Sequence, residues 1–148
     1  MSKNRFTLLA AVHVFLIQDG HVLLLRRYNT GYQDGNYSVL AGHLDGGEDV
    51  IQAAQREVLE EGGVTVPYDH FSMVGVMHRQ SDDERIDFFL TANDWEGEIT
   101  NMEPHKCDDL SWHPLNQLPD NTIPYIKRAI DNYRNDRSFD IVGFNKMT

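Results

Sequence analysis

The chain has little cysteine and comparatively little positive charge. One cysteine among 148 residues means that no disulfide can form within the chain, and such a composition is typical of a reducing compartment such as the cytoplasm. Asp and Glu number 23 against 13 Lys and Arg, which gives a formal net charge of −10. This acidity argues against broad electrostatic binding to nucleic-acid polymers or anionic membranes. A small anionic ligand is compatible with it, because a bound cation reverses the local sign of charge.

The sequence also lacks apolar runs of transmembrane length, internal repeats and low-complexity linkers. Residues 1–20 combine a basic tip with an apolar stretch, as signal peptides do. His13 interrupts that stretch, however, and Asp19-Gly20 is a strong turn signal, so we interpret the segment as a first strand. A length of 148 residues fits one compact domain. We therefore expect a single domain over 1–148, located in the cytoplasm.

Periodicity predicts that strands and helices are mixed along the chain. Strands are expected where branched, leucine and aromatic residues cluster between turn signals. They cover residues 6–17, 22–25, 38–40, 71–78, 86–92 and 110–112. Helices are predicted over 49–61 and from Ile123 to Tyr133, where apolar residues recur at helical spacing. Residues 28–37 and 93–109 look like loops, and the whole order favours an α/β fold with a mixed sheet covered by helices.

The helix predicted over 49–61 carries more carboxylates than a half-buried helix usually holds. Glu57 and Glu61 lie four residues apart and therefore stack on one side of the helix, with Glu60 nearby. Glu61 falls within the apolar stripe, where an unpaired carboxylate is costly. Either a salt bridge from Arg56 or a divalent cation would reduce this cost. The charge pattern alone leaves both explanations open.

The spacing of the residues around this helix is more specific than its charge. The run is Gly42, five residues, Glu48, seven residues, Arg56-Glu57-Val58-Leu59-Glu60-Glu61, one residue, and Gly63-Val64. At every fixed position it resembles the Nudix box, G-x5-E-x7-R-E-U-x-E-E-x-G-U, in which U is a bulky aliphatic residue. The chain therefore resembles the Nudix family, and its MutT-like members in particular. The resemblance implies an α/β/α sandwich with a central mixed β-sheet, formed as one Nudix domain over 1–148.

The resemblance also implies a reaction and a metal site. Nudix proteins hydrolyse a nucleoside diphosphate linked to another moiety, using Mg²⁺ or Mn²⁺ held by oxygen ligands. Carried over to this sequence, the metal ligands are the Gly42 carbonyl and the carboxylates of Glu57, Glu60 and Glu61. Arg56 would orient these carboxylates through charge-assisted hydrogen bonds.

The identity of the general base is open between two glutamates. MutT-like members carry a further acidic residue shortly after a Trp-Glu-Gly-Glu stretch, which here covers residues 95–98. Glu103 follows five residues later, and we nominate it as an additional metal ligand or as the base. Glu60 competes for the role of base, and a surface carboxylate without function is an equally good interpretation of Glu103.

The substrate is the least defined part of the prediction. Five residues are candidates for contacts with phosphates or a base: Arg27, Tyr37, Arg79, Arg85 and Asn121. Sequence signatures of the ADP-ribose, dinucleoside polyphosphate and coenzyme A subfamilies are missing, which favours a MutT-like nucleoside triphosphate pyrophosphohydrolase. The alternatives are an ADP-ribose or other nucleotide-sugar pyrophosphatase, and a non-catalytic domain that senses a nucleotide. The expected partner is a small nucleotide or diphosphate, and family precedent adds a homodimer.

Overall fold

A mixed β-sheet lies at the centre of the computed structural model, which describes residues 4–144. Its strands are β1 (Leu9–Gln18), β2 (His21–Arg27), β3 (Tyr37–Ser38), β4 (Leu40–His43), β5 (Ser72–Gln80), β6 (Glu84–Ala92), β7 (Cys107–Pro114) and β8 (Phe139–Val142). The helices are α1 (Val50–Gly62) and α2 (Pro124–Arg134), with a short 3-10 turn at Tyr68–His70. Within the described part of the chain, none of these helices is long and apolar enough to span a membrane. The ends of the domain predicted over 1–148, residues 1–3 and 145–148, lie outside the described residues.

Strand directions within the sheet are mixed, as the sequence predicted. The strand order is β3-β2-β1-β6-β5-β8, with β4 paired to β1 and β7 paired to β2. β1 runs parallel to β6, and β5 runs parallel to β8. The remaining pairs are antiparallel.

The two helices cover opposite faces of this sheet. Val14 of β1 belongs to a buried apolar cluster that includes Ala54 of α1. The next residue of β1, Phe15, belongs to a second cluster that includes Ile126 of α2. Successive side chains of a strand point to opposite faces, so the two clusters lie on opposite sides of the sheet. The predicted α/β/α sandwich is therefore confirmed.

Helix α1 begins and ends where its local sequence directs. The Asp49 side chain accepts a hydrogen bond from the Gln52 backbone N–H at 2.8 Å, and the Gln52 side chain accepts one from the Asp49 backbone N–H at 2.9 Å. This capping box fixes the first turn. Gly63 ends the helix with a φ of 73°, a left-handed conformation that favours glycine. Glu57 and Glu61 are thereby held at fixed positions along the helix axis.

All predicted strands differ from their observed bounds by at least one residue, and three of the differences are set by pairing between strands. β1 begins three residues later than predicted, at Leu9. The predicted strand 38–40 divides at Val39, since β3 pairs with β2 whereas β4 pairs with β1. β7 begins at Cys107, inside the predicted loop 93–109, because it pairs along the whole length of β2.

Strand β8 is missing from the sequence-based prediction because a four-residue strand with a central aspartate has no apolar periodicity. That aspartate, Asp140, is 2% exposed and sits between α2 and the sheet edge. It accepts hydrogen bonds from Arg128 at 2.6 and 2.9 Å, from Asn132 at 2.8 Å and from Arg137 at 3.1 Å. Burial alone would raise the pKa of Asp140, but these donors outweigh it and lower the pKa to about 2. Asp140 therefore fastens the edge strand to α2.

Replacing Asp140 by Ala should lower the free energy of unfolding by about 2 kcal/mol, because a buried acceptor of several charge-assisted hydrogen bonds is lost. Urea denaturation at pH 7 measures the change. The matched control is Asp120→Ala, at an exposed residue, which should leave the midpoint unchanged. Equal stability of the two variants would contradict the role assigned to Asp140.

Candidate functional site

Glu57 of α1 lies directly against the backbone of β4. The residue is only 8% exposed. A Cβ placed on Gly42 would stand 2.1 Å from Oε2 of Glu57, far inside the contact distance of a carbon and an oxygen atom. Glycine is therefore required at position 42 by the close approach of this carboxylate.

Glu61, one turn further along α1, also reaches β4. Its Oε1 accepts a hydrogen bond from the Ala41 backbone N–H at 2.8 Å. Burial raises the pKa of Glu61 well above its ordinary range, and the nearby Glu57 and Glu103 carboxylates raise it further. Within residues 4–144, Glu61 forms no ion pair. The site therefore holds two adjacent carboxylates, of which Glu61 lacks a positively charged partner.

Arg56 compensates the charge of other carboxylates on this helix. Its guanidinium donates to Glu48 at 2.6 and 3.1 Å, to Glu57 at 2.5 Å and to Glu60 at 3.3 Å. Burial still raises the pKa of Glu57, although Arg56 opposes the shift. The salt-bridge explanation is thus correct for Glu57 and does not extend to Glu61.

Hydrogen bonding between β4 and β1 decides which carbonyl groups of β4 are directed away from the sheet. The Leu44 N–H donates to the Ala10 carbonyl at 3.0 Å, and Gly42 lies opposite Val12 in the register of the two strands. Hydrogen-bonded positions alternate along an antiparallel pair, so the peptide groups of Gly42 also face β1. The Gly42 carbonyl, which the sequence nominated as a metal ligand, is therefore directed into the sheet.

The peptide groups of Ala41 and His43 face the opposite way. The Ala41 N–H donates to Glu61, and the His43 carbonyl accepts from Arg56 at 3.0 Å. Because the N–H and C=O of one strand residue point to the same side, the Ala41 carbonyl is the backbone oxygen directed toward Glu61.

A cavity of about 530 Å³ opens beside Glu61. Glu103 also lines it, so the fold brings the nominated loop glutamate to the same space. Arg27 and Lys106 add positive charge to its wall. Glu60 is exposed, is held by Arg56 and does not line this cavity. Of the two candidates for the base, Glu103 is therefore the one that faces the cavity.

The oxygen atoms at this site suit a hard divalent cation. Among residues 4–144, no group of three His, Cys, Asp or Glu side chains is arranged closely enough to hold an ion as it stands. Mg²⁺ needs few protein ligands, however, because it keeps several waters and completes its shell with phosphate oxygens. The Glu61 carboxylate without a cation, and the glycine that admits Glu57 to the backbone of β4, both fit such an ion.

A second cavity, of about 380 Å³, adjoins the first. The two cavities share Arg27, Gly42 and His43 in their walls. Arg79 and Arg85, both predicted from the sequence as phosphate or base contacts, line the second cavity. Three of the five substrate candidates therefore border the site.

Arg79 belongs to a buried network that the sequence analysis missed. Its Nε donates to Asp87 at 2.7 Å, and His13 Nε2 lies 2.9 Å from the other oxygen of Asp87. Burial alone would raise the pKa of Asp87, but His13 and Arg79 lower it to about 2. One sequence feature could have indicated this network. Asp87 is a charged residue within the apolar run of β6, and a charge in such a position predicts a buried partner.

Tyr37 and Asn121 make contacts with the protein itself and line neither cavity. The buried Tyr37 hydroxyl donates to Asp109. The Asn121 side chain donates to the Gly35 carbonyl at 2.7 Å, and the Asn121 backbone carbonyl accepts from the Tyr37 N–H. These contacts hold β3 and the preceding loop in place.

Comparison with known proteins identifies the family. The sequence model of the NUDIX domain family matches residues 7–133. The chain belongs to the Nudix family. Oxidized purine nucleoside triphosphate hydrolase of Danio rerio is 30% identical over 115 residues, in a match that covers 72% of this chain and 66% of that protein. NAD-capped RNA hydrolase NudC of Stutzerimonas stutzeri is 31% identical over 117 residues, covering 72% of this chain and 37% of that protein. The chain thus spans just under two thirds of the first relative and less than half of the second.

Solved structures agree with this Nudix assignment. A MutT Nudix hydrolase from Burkholderia pseudomallei has a TM-score of 0.78 at 22% identity, covering 85% of this chain and 98% of its own. The MutT protein from Methanosarcina mazei Go1 has a TM-score of 0.76 at 17% identity, with 90% and 98% covered. At these identities the likeness establishes the Nudix fold.

Gly42→Ala should lower the activity of this Nudix protein about a hundredfold, because the new methyl group displaces Glu57 from β4. The assay is release of phosphate or pyrophosphate from a nucleotide substrate with Mg²⁺. Gly62→Ala is the matched control, since a Cβ there would meet only Leu40 Cδ1 at 3.4 Å. The control should keep its activity and gain about 0.5–1 kcal/mol of stability, because alanine suits a helix better than glycine. Full activity of Gly42→Ala would contradict the packing argument.

Because folding raises the pKa of Glu61, this residue should make metal-free protein less stable as the pH rises. A carboxyl group whose pKa is raised by folding stabilises the fold below its unfolded pKa of about 4.3, and this stabilisation is lost as pH rises through the folded pKa. In metal-free protein, Glu61→Gln should therefore raise the free energy of unfolding at pH 8 by about 1 kcal/mol. The gain should shrink at pH 5. Urea denaturation in EDTA at both pH values measures it, with the exposed Glu98→Gln as control; a Glu61→Gln protein less stable than wild type at pH 8 would contradict the prediction.

Proposed function

We propose that the chain is a divalent-metal-dependent hydrolase that cleaves the pyrophosphate linkage of a nucleoside di- or triphosphate or of a related nucleotide derivative. The observation that carries the proposal is the pair Glu57 and Glu61, in which Glu61 lines the cavity and, within residues 4–144, forms no salt bridge with a cationic side chain. A fold seldom retains an uncompensated buried carboxylate without a functional reason. The cavity beside Glu61 supplies the space for a diphosphate.

Mg²⁺ or Mn²⁺ is the proposed cofactor, and the carboxylates of Glu57 and Glu61 together with the Ala41 carbonyl would hold it. A bound divalent cation supplies Lewis-acid chemistry and neutralises charge that develops on the diphosphate. Glu103 lines the same cavity as Glu61. It would bind a further metal ion or act as general base for the attacking water. Glu60, the remaining carboxylate that the sequence nominated as a metal ligand, would act through its contact with Arg56.

The other steps belong to residues of the chain itself. Arg56 fixes the Glu57 carboxylate through a 2.5 Å hydrogen bond, so the ligand is oriented before substrate arrives. Arg27 and Lys106 would bind phosphate oxygens from the cavity wall. Glu103 is the proposed general base: it would accept a proton from the water that attacks phosphorus.

A MutT-like nucleoside triphosphate pyrophosphohydrolase is the favoured activity. The printed name of the zebrafish relative concerns an oxidized purine nucleoside triphosphate, and that of NudC concerns NAD-capped RNA. The net charge of −10 disfavours a long nucleic-acid substrate here, which supports the triphosphate. A nucleotide-sugar pyrophosphatase and a nucleotide-sensing domain are the outcomes that a substrate panel distinguishes. We also propose a cytoplasmic location and a homodimer, the first from the single cysteine and the second from family precedent.

Hydrolysis of a nucleotide panel should require Mg²⁺ or Mn²⁺ and should fall at least a hundredfold in Glu57→Gln and Glu61→Gln. Mg²⁺ should also raise the melting temperature of the wild type and have little effect on Glu61→Gln, because a ligand stabilises only the fold that binds it. Glu98→Gln is the control for both readouts. Glu103→Gln and Glu60→Gln in the same assay separate the two candidate bases.

Metal-independent turnover, or unchanged rates in both Glu57→Gln and Glu61→Gln, would overturn the proposal. Binding of a nucleotide without turnover of any would identify a sensing domain instead. Turnover confined to ADP-ribose or a nucleotide sugar would select the alternative enzyme.

A further inference from the structure

The loop of residues 100–106 is attached to the end of α1 that carries Glu61. The Met102 N–H donates to the Glu61 carbonyl at 3.3 Å, and the Thr100 N–H donates to the Gly62 carbonyl at 2.9 Å. Glu103 therefore directly follows a residue that is hydrogen-bonded to Glu61. The two carboxylates of the first cavity, Glu61 and Glu103, are thus connected by a short path through the backbone.

The Asn101 side chain closes this loop from within. Its Oδ1 accepts a hydrogen bond from the Glu103 backbone N–H at 3.1 Å, and its Nδ2 donates to the Cys107 carbonyl at 2.7 Å. A bond from an asparagine side chain to the backbone two residues further on is an Asx turn. The second bond ties this turn to the first residue of β7, a strand that pairs with β2. Asn101 therefore links the backbone of Glu103 to the sheet.

The backbone of Glu103 is held on both sides of its Cα atom. Its carbonyl accepts hydrogen bonds from the Lys106 N–H at 2.8 Å and the Cys107 N–H at 2.9 Å. Its own N–H is the group bound by Asn101. The two carbonyl contacts join backbone atoms and do not require particular side chains, whereas the contact with the N–H requires an acceptor at residue 101. Replacing Asn101 would therefore release the Glu103 N–H while leaving the Glu103 carboxylate in the protein.

A direct contact with substrate is the alternative explanation for Asn101, because it lines the first cavity together with Glu61 and Glu103. The amide oxygen and the amide nitrogen of Asn101 are, however, both bonded to backbone groups of the loop. One of these partners is the N–H of Glu103 itself. The contacts therefore favour a role in which Asn101 acts on Glu103.

We propose that Asn101 is a positioning residue that holds the Glu103 carboxylate in the cavity of Glu61. The inference rests on the hydrolase function proposed above, in which Glu103 accepts a proton from the attacking water. A general base must lie within hydrogen-bond reach of the proton that it accepts, and a misplacement of about 1 Å lowers a rate about a hundredfold. Asn101 itself would touch neither the metal ion nor the substrate.

The first test measures kcat and KM of Asn101→Ala with Mg²⁺ and the nucleotide that the wild type hydrolyses fastest. The kcat should fall about 10- to 100-fold, because Glu103 loses its fixed position, whereas KM should change less than about twofold. Asn135→Ala is the matched control: this exposed asparagine also donates to a backbone carbonyl, that of Asp131 at 2.8 Å, and lines neither cavity. The control should keep both constants. An unchanged kcat in Asn101→Ala, or a rise in KM alone, overturns the proposal.

A double-mutant cycle decides whether the effect of Asn101 passes through Glu103. Once the carboxylate is removed by Glu103→Gln, adding Asn101→Ala should cause no further loss of kcat. A merely structural role, or a contact of Asn101 with substrate, would lower kcat by the same factor in both backgrounds, which overturns the proposal. Wild-type rates in Glu103→Gln would also overturn it, while leaving metal-dependent hydrolysis intact.

Unfolding of metal-free protein tests the inference without turnover. Glu61 and Glu103 are carboxylates of the same cavity that repel each other, so Glu103→Gln should raise the urea midpoint at pH 8 in EDTA. The rise should be smaller in the Asn101→Ala background, because Glu103 is no longer held near Glu61. This result supports the proposal even where the wild type hydrolyses no nucleotide. An equal rise in both backgrounds, or no rise in either, overturns it even where hydrolysis is confirmed.

Discussion

The functional site depends on the burial of two helix carboxylates against the backbone of one short strand. Glu57 approaches β4 so closely that residue 42 has no room for a side chain. Glu61 accepts a hydrogen bond from the backbone N–H of Ala41. The capping box and the terminal glycine fix where α1 begins and ends, and therefore the positions of both glutamates along the helix axis. Arg56 compensates Glu57 but has no contact with Glu61. The remaining negative charge is a cost to the fold, and it would be the basis of the proposed affinity for a divalent cation.

The buried Asp140 shows how this chain treats a carboxylate that serves only the structure. Asp140 is surrounded by donors from Arg128, Asn132 and Arg137, and its pKa is lowered to about 2. The pKa of Glu61 shifts in the opposite direction, because burial outweighs the hydrogen bond from the Ala41 N–H and the attraction of the Arg27 charge. The contrast lies within one molecule and one class of side chain. The pKa of Asp140 indicates a carboxylate that stabilises the fold in its charged form, whereas that of Glu61 indicates one whose charge destabilises it.

The sequence predicted the parts of the site that depend on local spacing. Helical periodicity placed Glu57 and Glu61 on one side of α1, and the resemblance to the box drew attention to Gly42 as a metal ligand. The direction of the carbonyl groups in β4 was not accessible, since it depends on which residues of β4 hydrogen-bond to β1. The start of β7 within a polar segment also depends on pairing between distant parts of the chain. The same is true of Asn121, whose side chain binds the Gly35 carbonyl and, like Tyr37, lines neither cavity.

The second cavity lies beside the proposed metal site and is built from other elements of the fold. Its central arginine is fixed by Asp87 and His13, from β6 and β1, and none of these residues belongs to the box. The proposed chemistry of the diphosphate would therefore lie on α1 and β4, whereas residues of β1, β5 and β6 contribute to the wall of the second cavity. The two parts meet at Gly42 and His43, which border both cavities. Because His13, Arg79 and Asp87 lie outside the box, a fold of this kind can alter these positions while it keeps the same carboxylates.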